Sequence, residues 1–377
     1  MTARRTWLVH RRLHRLRAVA VGAGFGAGVR FIRRCRRRIR WAAASADTTA
    51  QHQHQKHENY LLHLTVLHCD SSLKYMSGKR TAPLTGAIYT PMITFRRTTA
   101  ANEEGKMQTD DDLTHFAAQG APPLPPFTKQ GDVEHDGARI WYAAYGADPT
   151  VILLHGGLGH SGNWGYQLPT LLAAGYGVLL IDSRGHGRST RDGRPYRYDR
   201  MADDLLAVMD ALRIPHAALA GWSDGACVAL IAAHRAPQRV DGVFFFGCNM
   251  DASGVKPPAS NPIVERCFAR HAQDYAALSP TPEEFDAFVA AVSLMMSSQP
   301  DYRVQELAAI RVPVTIVHSE HDEFIRVEHA VYLSRSIPGA RLVMLPGVSH
   351  FAPLQRPAVF NRALLDFLAD VMCRKAF

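Results

Sequence analysis

The sequence has 377 residues, of which 47% are apolar and 20% are charged, so it is long enough to fold as one large domain or two modest ones around a substantial core. Its formal net charge of +9 is unevenly distributed, because residues 1–106 contain 20 Lys or Arg and 5 Asp or Glu, whereas residues 107–377 contain 23 and 29. The basic charge therefore belongs to the N-terminal segment, and it gives no support for nucleic-acid binding by the rest of the chain.

Residues 1–45 are rich in arginine and contain no acidic residue, with the run Arg33-Arg34-Cys35-Arg36-Arg37-Arg38 as the extreme. Three interpretations remain open: an organellar or exported targeting segment, a basic arm for nucleic acid or anionic membrane, and non-native upstream sequence read through to Met107. We favour the third, because the composition changes there from basic and His-rich to acidic and Pro-rich. Residues 1–106 are therefore predicted to be a disordered basic extension.

From residue 107 onward the chain carries recognisable structural signals. Residues 107–127 are predicted to be a Pro-rich approach segment, because the run Ala-Pro-Pro-Leu-Pro-Pro within it is stiff and extended. Residues 131–134 and 138–145 then flank His135-Asp136-Gly137, which is typical of a β-hairpin. No apolar run in the sequence approaches the ~20 residues that span a bilayer.

Beyond the hairpin, short apolar runs alternate with helical patterns. The predicted strands are residues 151–154, 177–182, 217–221, 240–246, 314–318 and 341–345, and the predicted helices are residues 198–212, 224–236, 328–337 and 358–367. Such alternation is typical of right-handed βαβ crossovers. The predicted fold class is therefore α/β, with a mostly parallel central sheet and helices on both of its faces.

The interval 249–304 breaks this alternation, since it is Pro-rich yet carries helical patterns at 263–278 and 282–296. A helical excursion between two strands indicates a small helical lid inserted late in the chain. We expect it to cover the carboxyl ends of the strands, where open α/β sheets bind ligands. The core would then comprise residues 128–248 and 305–377.

A serine stands between two glycines at positions 221–225, which read Gly-Trp-Ser-Asp-Gly. The segment lies between a predicted strand and a predicted helix, where a sharp turn strains its central residue and only glycine fits two positions before and after it. Such a turn exposes the Ser223 hydroxyl at the sheet edge, beside the main-chain N–H groups of a helix N-terminus. Ser223 is therefore the candidate nucleophile.

A serine hydroxyl needs a base to accept its proton, and the base needs a third group to fix its tautomer. His350 follows the last predicted strand, and Asp322 follows the strand before it. Because the carboxyl ends of parallel strands share one edge of a sheet, both side chains should reach the edge that carries Ser223. The predicted set is the nucleophile Ser223, the acid Asp322 and the base His350.

A tetrahedral intermediate also needs two donors directed at its oxyanion. The main-chain N–H of Asp224 is predicted to supply one of them. The other is predicted to come from the glycine-rich loop His155-Gly-Gly-Leu-Gly-His160, with Gly157 as the donor and Leu158 as the second choice. His155 itself is predicted to brace this loop rather than to take part in the chemistry.

Residues of about 128–370 resemble the α/β-hydrolase fold superfamily, in its lid-bearing branch of serine esterases and lactonases. The matching motifs, in family order, are His155-Gly156-Gly157, Asp182-Ser-Arg-Gly-His-Gly-Arg-Ser189, Gly221-Trp-Ser-Asp-Gly225, Asp322 and His350. In that family the second motif is structural, which implies supporting roles for Asp182 and Arg184. Relatives that open epoxides or displace halide carry a carboxylate at the elbow, so the serine implies hydrolysis of an ester, lactone or thioester through an acyl-enzyme.

The resemblance implies a small, partly apolar, ester-like substrate and requires neither a metal nor an organic cofactor. Leu158, Trp222 and Phe351 are predicted to contact the substrate. Further candidates for an apolar cleft under the lid are Trp164, Leu294, Met295 and Met296.

Other functions remain open at this stage. A ligand sensor with slow or no turnover, a carbon–carbon bond hydrolase or an acyltransferase could use the same residues, and residues 1–45 could bind nucleic acid. The core is predicted to bind neither nucleic acid nor membrane, and its oligomeric state is not predicted. The six cysteines lack metal or disulfide spacing, which indicates free thiols and a cytoplasmic location, with targeting by the basic leader left open.

Overall fold

The structure is a computed structural model that describes residues 110–257 and 261–375. The predicted basic extension, residues 1–106, lies outside the described residues, and so do the three interpretations of the leader. The approach segment, predicted over residues 107–127, is described from residue 110 onward.

The approach segment contains a helix that the Pro-rich pattern did not predict. Helix α1 (Asp110–Gln119) precedes the proline run, and its Leu113 and Phe116 are fully buried. Because these side chains are three residues apart, they lie on one face of the helix. They belong to the same apolar cluster as Tyr145 and Trp164, so the segment is docked onto the core through this face.

Eight strands form a single sheet in the described part of the chain. They are β1 (Lys129–His135), β2 (Ala138–Tyr145), β3 (Pro149–Leu154), β4 (Gly177–Ile181), β5 (Ala217–Trp222), β6 (Val240–Phe246), β7 (Val314–His321) and β8 (Arg341–Ser349). Their order is β1-β2-β4-β3-β5-β6-β7-β8. Strand β2 pairs antiparallel with β1 and β4, and all other pairs are parallel, as the sequence predicts.

Helices pack on both faces of this sheet. After α1 they are α2 (Gln167–Ala173), α3 (Tyr198–Ala211), α4 (Asp224–Arg235), α5 (Pro262–Leu278), α6 (Phe285–Ser298), α7 (Val304–Ala309), α8 (Val327–Ser336), α9 (Ala352–Gln355) and α10 (Pro357–Lys375). Neighbouring residues of β3 enter two separate apolar clusters, Ile152 with residues of α3, α4 and α8, and Leu153 with residues of α1, α2 and α10. The predicted fold class is thus confirmed. Among the described helices, none is long and apolar enough to cross a membrane.

The hairpin of β1 and β2 follows from its two turn residues. Asp136 and Gly137 both have positive φ, at 45° and 79°. Positive φ at both central positions defines a type I′ turn, whose twist matches that of the paired strands. The predicted hairpin is therefore confirmed at the predicted residues.

Strand β8 is longer than the sequence pattern predicts. The pattern ends the strand at residue 345, whereas β8 continues through Pro346 and Gly347 to Ser349. Proline has no main-chain N–H to donate, but β8 pairs only with β7 and is an edge strand, where proline is tolerated. The extension makes His350 the residue directly after the strand.

The helices predicted between β6 and β7 are present as α5 and α6. They contact loops at the carboxyl ends of the strands. Phe288 of α6 packs edge-on against His186 with ring centroids 4.7 Å apart, and Asp274 of α5 lies 3.3 Å from the imidazole of His160. The insertion therefore lies against the loops that follow β3 and β4, while its action as a lid and its boundaries at 249–304 stay predictions.

Candidate active site

Ser223 lies in a sharp turn between β5 and α4. It directly precedes α4 with φ 53° and ψ −124°, a strained conformation for a residue that carries a Cβ. A Cβ on Gly221 would meet the main chain of Gly225, and a Cβ on Gly225 would meet the carbonyl of Leu154. The turn therefore requires both glycines, and it leaves Ser223 partly exposed at the carboxyl edge of the sheet.

His350 and Asp322 form a hydrogen-bonded pair at the same edge. The distance from His350 Nδ1 to Asp322 Oδ2 is 2.9 Å, and both side chains are buried. The other carboxylate oxygen, Asp322 Oδ1, accepts the main-chain N–H groups of Phe324 and Ile325 at 2.9 and 2.8 Å. Because an ionised carboxylate only accepts, the proton of a neutral imidazole is assigned to Nδ1, which leaves Nε2 free to take a proton.

Ser223 and the imidazole of His350 both lie next to the end of β6, at Phe246 and Gly247 respectively. The N–H of Ser223 donates to the carbonyl of Phe246 at 2.8 Å. At the next residue, Gly247 with φ 63°, a Cβ would lie 3.2 Å from His350 Nδ1. The structure thus brings Ser223, Asp322 and His350 to one edge of the sheet. Among the described residues the Ser223 hydroxyl has no hydrogen-bond partner, His350 included; such bonds commonly tighten when substrate binds.

The loop after β3 lies directly against the elbow. A Cβ on Gly156 would lie 3.2 Å from the Cβ of Ser223. The N–H of Gly159 donates to the carbonyl of Gly156 at 3.1 Å and closes a turn in which Leu158 has φ 61°. The N–H of Gly157, inside this turn, donates to no acceptor in the described residues, and that of Asp224 stands in the first turn of α4, where the helix supplies no acceptor.

Comparison with known proteins assigns the chain to a family. A family model described as the alpha/beta hydrolase fold matches residues 149–265. The chain is 29% identical over 254 residues to serine hydrolase BPHL of Mus musculus, covering 62% of this chain and 84% of that protein. It is 30% identical over 250 residues to 2-hydroxy-6-oxononadienedioate/2-hydroxy-6-oxononatrienedioate hydrolase 2 of Pseudomonas putida, covering 58% of this chain and 87% of that protein. The chain belongs to the α/β-hydrolase fold family.

A solved structure is also similar to this α/β-hydrolase. It is described as Est816, an N-acyl homoserine lactone degrading enzyme, and it matches with a TM-score of 0.50 and 27% sequence identity. The match covers 63% of this chain and all of the other. Both curated relatives are named as hydrolases, and the substrates named for the Pseudomonas putida protein and for Est816 differ.

The electrostatics of this α/β-hydrolase favour a charged imidazole at position 350. Burial alone would lower the pKa of His350, but the facing carboxylates of Asp322, Glu323 and Asp224 outweigh burial, so its pKa is raised above the ordinary value. Burial conversely would raise the pKa of Asp322, and the charge and hydrogen bond of His350 overcome it, so the pKa of Asp322 is lowered. The pair is therefore suited to hold a proton on the imidazole beside an ionised carboxylate.

Asp224, which is predicted from sequence only as a main-chain N–H donor, also carries a buried carboxyl group. Its Oδ1 accepts the hydroxyl of Tyr198 at 2.7 Å, while its Oδ2 has no partner among the described residues. Oδ2 faces the loop after β3, since a Cβ on Gly157 would lie 2.6 Å from it. Burial raises the pKa of Asp224 to about 6, although the Tyr198 hydroxyl and His350 oppose the rise.

Asp224→Asn is expected to stabilise the protein in a pH-dependent way. Below the ordinary pKa of 3.8 the carboxyl group is protonated in both the folded and the unfolded protein, so it does not change the free energy of unfolding. Between pH 3.8 and about 6 the carboxyl group ionises in the unfolded protein but not in the folded one, so the free energy of unfolding falls as the pH rises. The full cost above pH 6 is about 3 kcal/mol. Urea unfolding should show a gain from Asp224→Asn at pH 8 that shrinks toward zero at pH 4. An equal change at both pH values would contradict this origin.

The predicted substrate contacts differ in where the structure places them. Leu158, Trp222 and Phe351 are all buried beside the elbow and the base, and Trp222 lies edge-on to Phe351 with centroids 6.0 Å apart. Their contact with substrate stays a prediction. Of the other candidates, Trp164 and Met295 are buried in the apolar clusters and Leu294 is 64% exposed, and their place in a cleft under the insertion stays a prediction.

Met296 of α6 reaches the loop after β3. Its terminal methyl lies in the space that a Cβ on Gly157 would occupy. Helical spacing explains the division among the three neighbours, because Leu294 faces solvent, Met295 faces the core and Met296 faces the loop after β3. A choice among them depends on which face of α6 packs against the core, and the apolar pattern alone does not determine that face.

Two further side chains near the site, His155 and Arg184, hold loops in place. His155 is locked by both ring nitrogens, with Nδ1 2.8 Å from the carbonyl of Gly156 and Nε2 accepting the N–H of Ser183 at 3.0 Å. Arg184 makes two bonds to the buried carboxylate of Asp204. Both side chains are committed to holding loops rather than to chemistry.

The described residues contain no group of three or more His, Cys, Asp or Glu side chains arranged to hold a metal ion. That the reaction needs no metal and no organic cofactor stays a prediction.

Proposed function

We propose that the protein is a serine hydrolase that cleaves a carboxylic ester, lactone or thioester of a small, partly apolar substrate through an acyl-enzyme. Ser223 is the nucleophile, His350 the general base and Asp322 the acid that orients it. The main-chain N–H groups of Gly157 and Asp224 stabilise the oxyanion. The observation that carries the proposal is the 2.9 Å bond from His350 to Asp322 at the edge that bears the strained elbow serine.

The proposed reaction has two symmetrical halves. His350 Nε2 takes the proton of Ser223 as its oxygen attacks the substrate carbonyl, and the resulting oxyanion is held by the two N–H groups. The imidazolium, stabilised by Asp322, then protonates the leaving group as the carbon–oxygen or carbon–sulfur bond breaks. Water repeats the cycle on the acyl-enzyme, with His350 again as base, and releases the acid and free Ser223.

A substrate panel tests the proposal. The full chain is incubated with p-nitrophenyl esters of increasing acyl length, with lactones of different ring size and with acyl thioesters. Steady turnover of at least one class is expected, with short acyl chains preferred because Met296 fills the space beside Gly157. Binding of these compounds without turnover would instead favour a ligand sensor on the same fold.

The pH dependence of turnover reports the base. Only the neutral imidazole accepts the Ser223 proton, so kcat/KM should fall on the acid side as His350 becomes protonated. Because the carboxylates raise the pKa of His350, the acid limb should lie above the ordinary imidazole value of 6.5. A profile that stays flat down to pH 5 would show that a different group acts as the base.

A carbon–carbon bond hydrolase is the second candidate. It is favoured by the 30% identity to the Pseudomonas putida protein, whose name describes a hydrolase of a 2-hydroxy-6-oxo-dienedioate. Adding a 2-hydroxy-6-oxo-dienoate to the substrate panel distinguishes the two, since the favoured proposal expects faster turnover of esters.

A cytoplasmic location also stays a prediction, which cell fractionation would test.

A further inference from the structure

Two consecutive residues of the loop after β7 contact His350, and only the first of them, Asp322, is predicted from the sequence. Asp322 bonds to the imidazole, and the carboxylate of Glu323 accepts the main-chain N–H of His350 at 2.9 Å through Oε2. Glu323 is partly buried. The loop after β7 therefore holds His350 at two points, one on its side chain and one on its main chain.

Among the described residues, the imidazole of His350 is the cationic group that acts on the Glu323 carboxylate. Within residues 110–257 and 261–375 no Lys or Arg forms an ion pair with Glu323. Burial raises the pKa of Glu323, and the N–H and the charge of His350 oppose that rise. A partly buried carboxylate without a cation is unfavourable unless a nearby positive charge forms. The imidazolium of the reaction cycle is that charge.

The remaining charged groups around the imidazole come from three further elements. Asp224 at the start of α4 faces it, His318 of β7 interacts with it, and Lys256 of the insertion donates to the main-chain carbonyl of Asp322 at 2.6 Å. Asp322 is already bonded to Nδ1, and Asp224 is bonded to Tyr198. Glu323 is thus the additional carboxylate that contacts residue 350 itself.

We propose that Glu323 is a positioning residue for the base: its carboxylate fixes the main chain of His350, and its charge stabilises the imidazolium that forms when Ser223 gives up its proton. The proposal rests on the proposed function, because it concerns the same reaction cycle. Proton transfer remains between Ser223 and His350, and Glu323 neither gains nor loses a proton in any step.

A nearby glutamate provides a matched control. Glu320 lies near the end of β7, three residues before Glu323, and its Oε2 accepts the N–H of Gly347 at 2.9 Å, so it also joins this part of the chain to the end of β8. Glu320 is exposed, and its bond lies three residues before the base. Removing its charge should leave the imidazole unaffected, because solvent screens an exposed carboxylate.

The test compares Glu323→Gln, Glu323→Ala and Glu320→Gln in the full chain. Glu323→Gln keeps an acceptor for the His350 N–H but removes the charge, so the acid limb of kcat/KM should move to lower pH with KM unchanged. Glu323→Ala removes both the charge and the acceptor. Its kcat should be about tenfold lower than that of Glu323→Gln, because the imidazole is no longer held in its aligned position. Glu320→Gln should match the wild type in both respects.

A limb for Glu323→Gln that coincides with the wild-type limb would overturn the proposal, as would an equal shift in Glu320→Gln. Titration of the His350 imidazole by NMR, in the absence of substrate, gives a second readout that needs no turnover. It should show the imidazole of Glu323→Gln losing its proton at lower pH than the wild type. If no substrate is turned over, the proposed function fails while this titration still decides the role of Glu323.

Discussion

Ser223→Ala is expected to reduce kcat/KM for ester substrates by about 10⁴- to 10⁶-fold, leaving only the catalysis that substrate binding and the oxyanion donors provide. The hydroxyl is the only group of the elbow that can form the acyl-enzyme, whereas the main chain of the turn does not depend on it. Its N–H bond to Phe246 persists in alanine. The variant should therefore fold normally and bind substrate with little change in affinity.

Ser183→Ala is the matched control for this loss. Ser183 follows β4 at the same edge of the sheet. Its main-chain N–H donates to His155 and its carbonyl accepts the N–H of His186, and alanine keeps both bonds. Its activity should equal that of the wild type, measured by initial rates on the preferred ester with circular dichroism to verify folding. Residual turnover by Ser223→Ala at a tenth of the wild-type rate would exclude Ser223 as the nucleophile.

Gly225→Ala is expected to destabilise the protein by about 3 kcal/mol or more. The added Cβ would meet the carbonyl of Leu154 and the carbonyl of His155, which are main-chain atoms of β3 and the loop that follows it. A side chain can rotate away from such a clash, but these carbonyls cannot move without shifting β3 against β5. Urea unfolding should show this decrease in the free energy of unfolding, and the measurement does not depend on finding a substrate.

Gly193→Ala provides the control for a glycine that packs against nothing. A Cβ at position 193 would have no neighbour within 4 Å. We expect its unfolding free energy to stay within about 0.5 kcal/mol of the wild type. If Gly225→Ala were as stable as Gly193→Ala, the close approach of α4 to β3 described above would be wrong.

The parts of the fold that could be predicted from sequence are those with short-range causes. The hairpin follows from Asp136 and Gly137, and the alternation of apolar runs with helical patterns predicts a parallel sheet. The positions of Asp322 and His350 after consecutive strands predict that they meet, because parallel strands end at one edge. Each of these inferences needs only local chemistry and the topology of the sheet.

The parts that sequence did not reveal depend on contacts between distant segments. Helix α1 was not predicted, because the prolines that follow it indicated an extended segment. The three-residue spacing of the apolar Leu113 and Phe116 could have indicated a helix with one buried face. Gly247 leaves room for the imidazole of His350 beside the end of β6 because it has no side chain. A glycine directly after a predicted strand could have indicated such a close approach. The burial of Asp224 could not be predicted, because it depends on how Tyr198 packs across from another helix.

The central claim is that Ser223 attacks the substrate with His350 as its base. A fluorophosphonate that reacts only with activated serines, followed by intact-mass analysis and peptide mapping, tests it most directly. The account predicts one adduct per chain, located on Ser223, and slow or no labelling in His350→Ala. Labelling at another residue, or equal labelling rates with and without the imidazole, would contradict it.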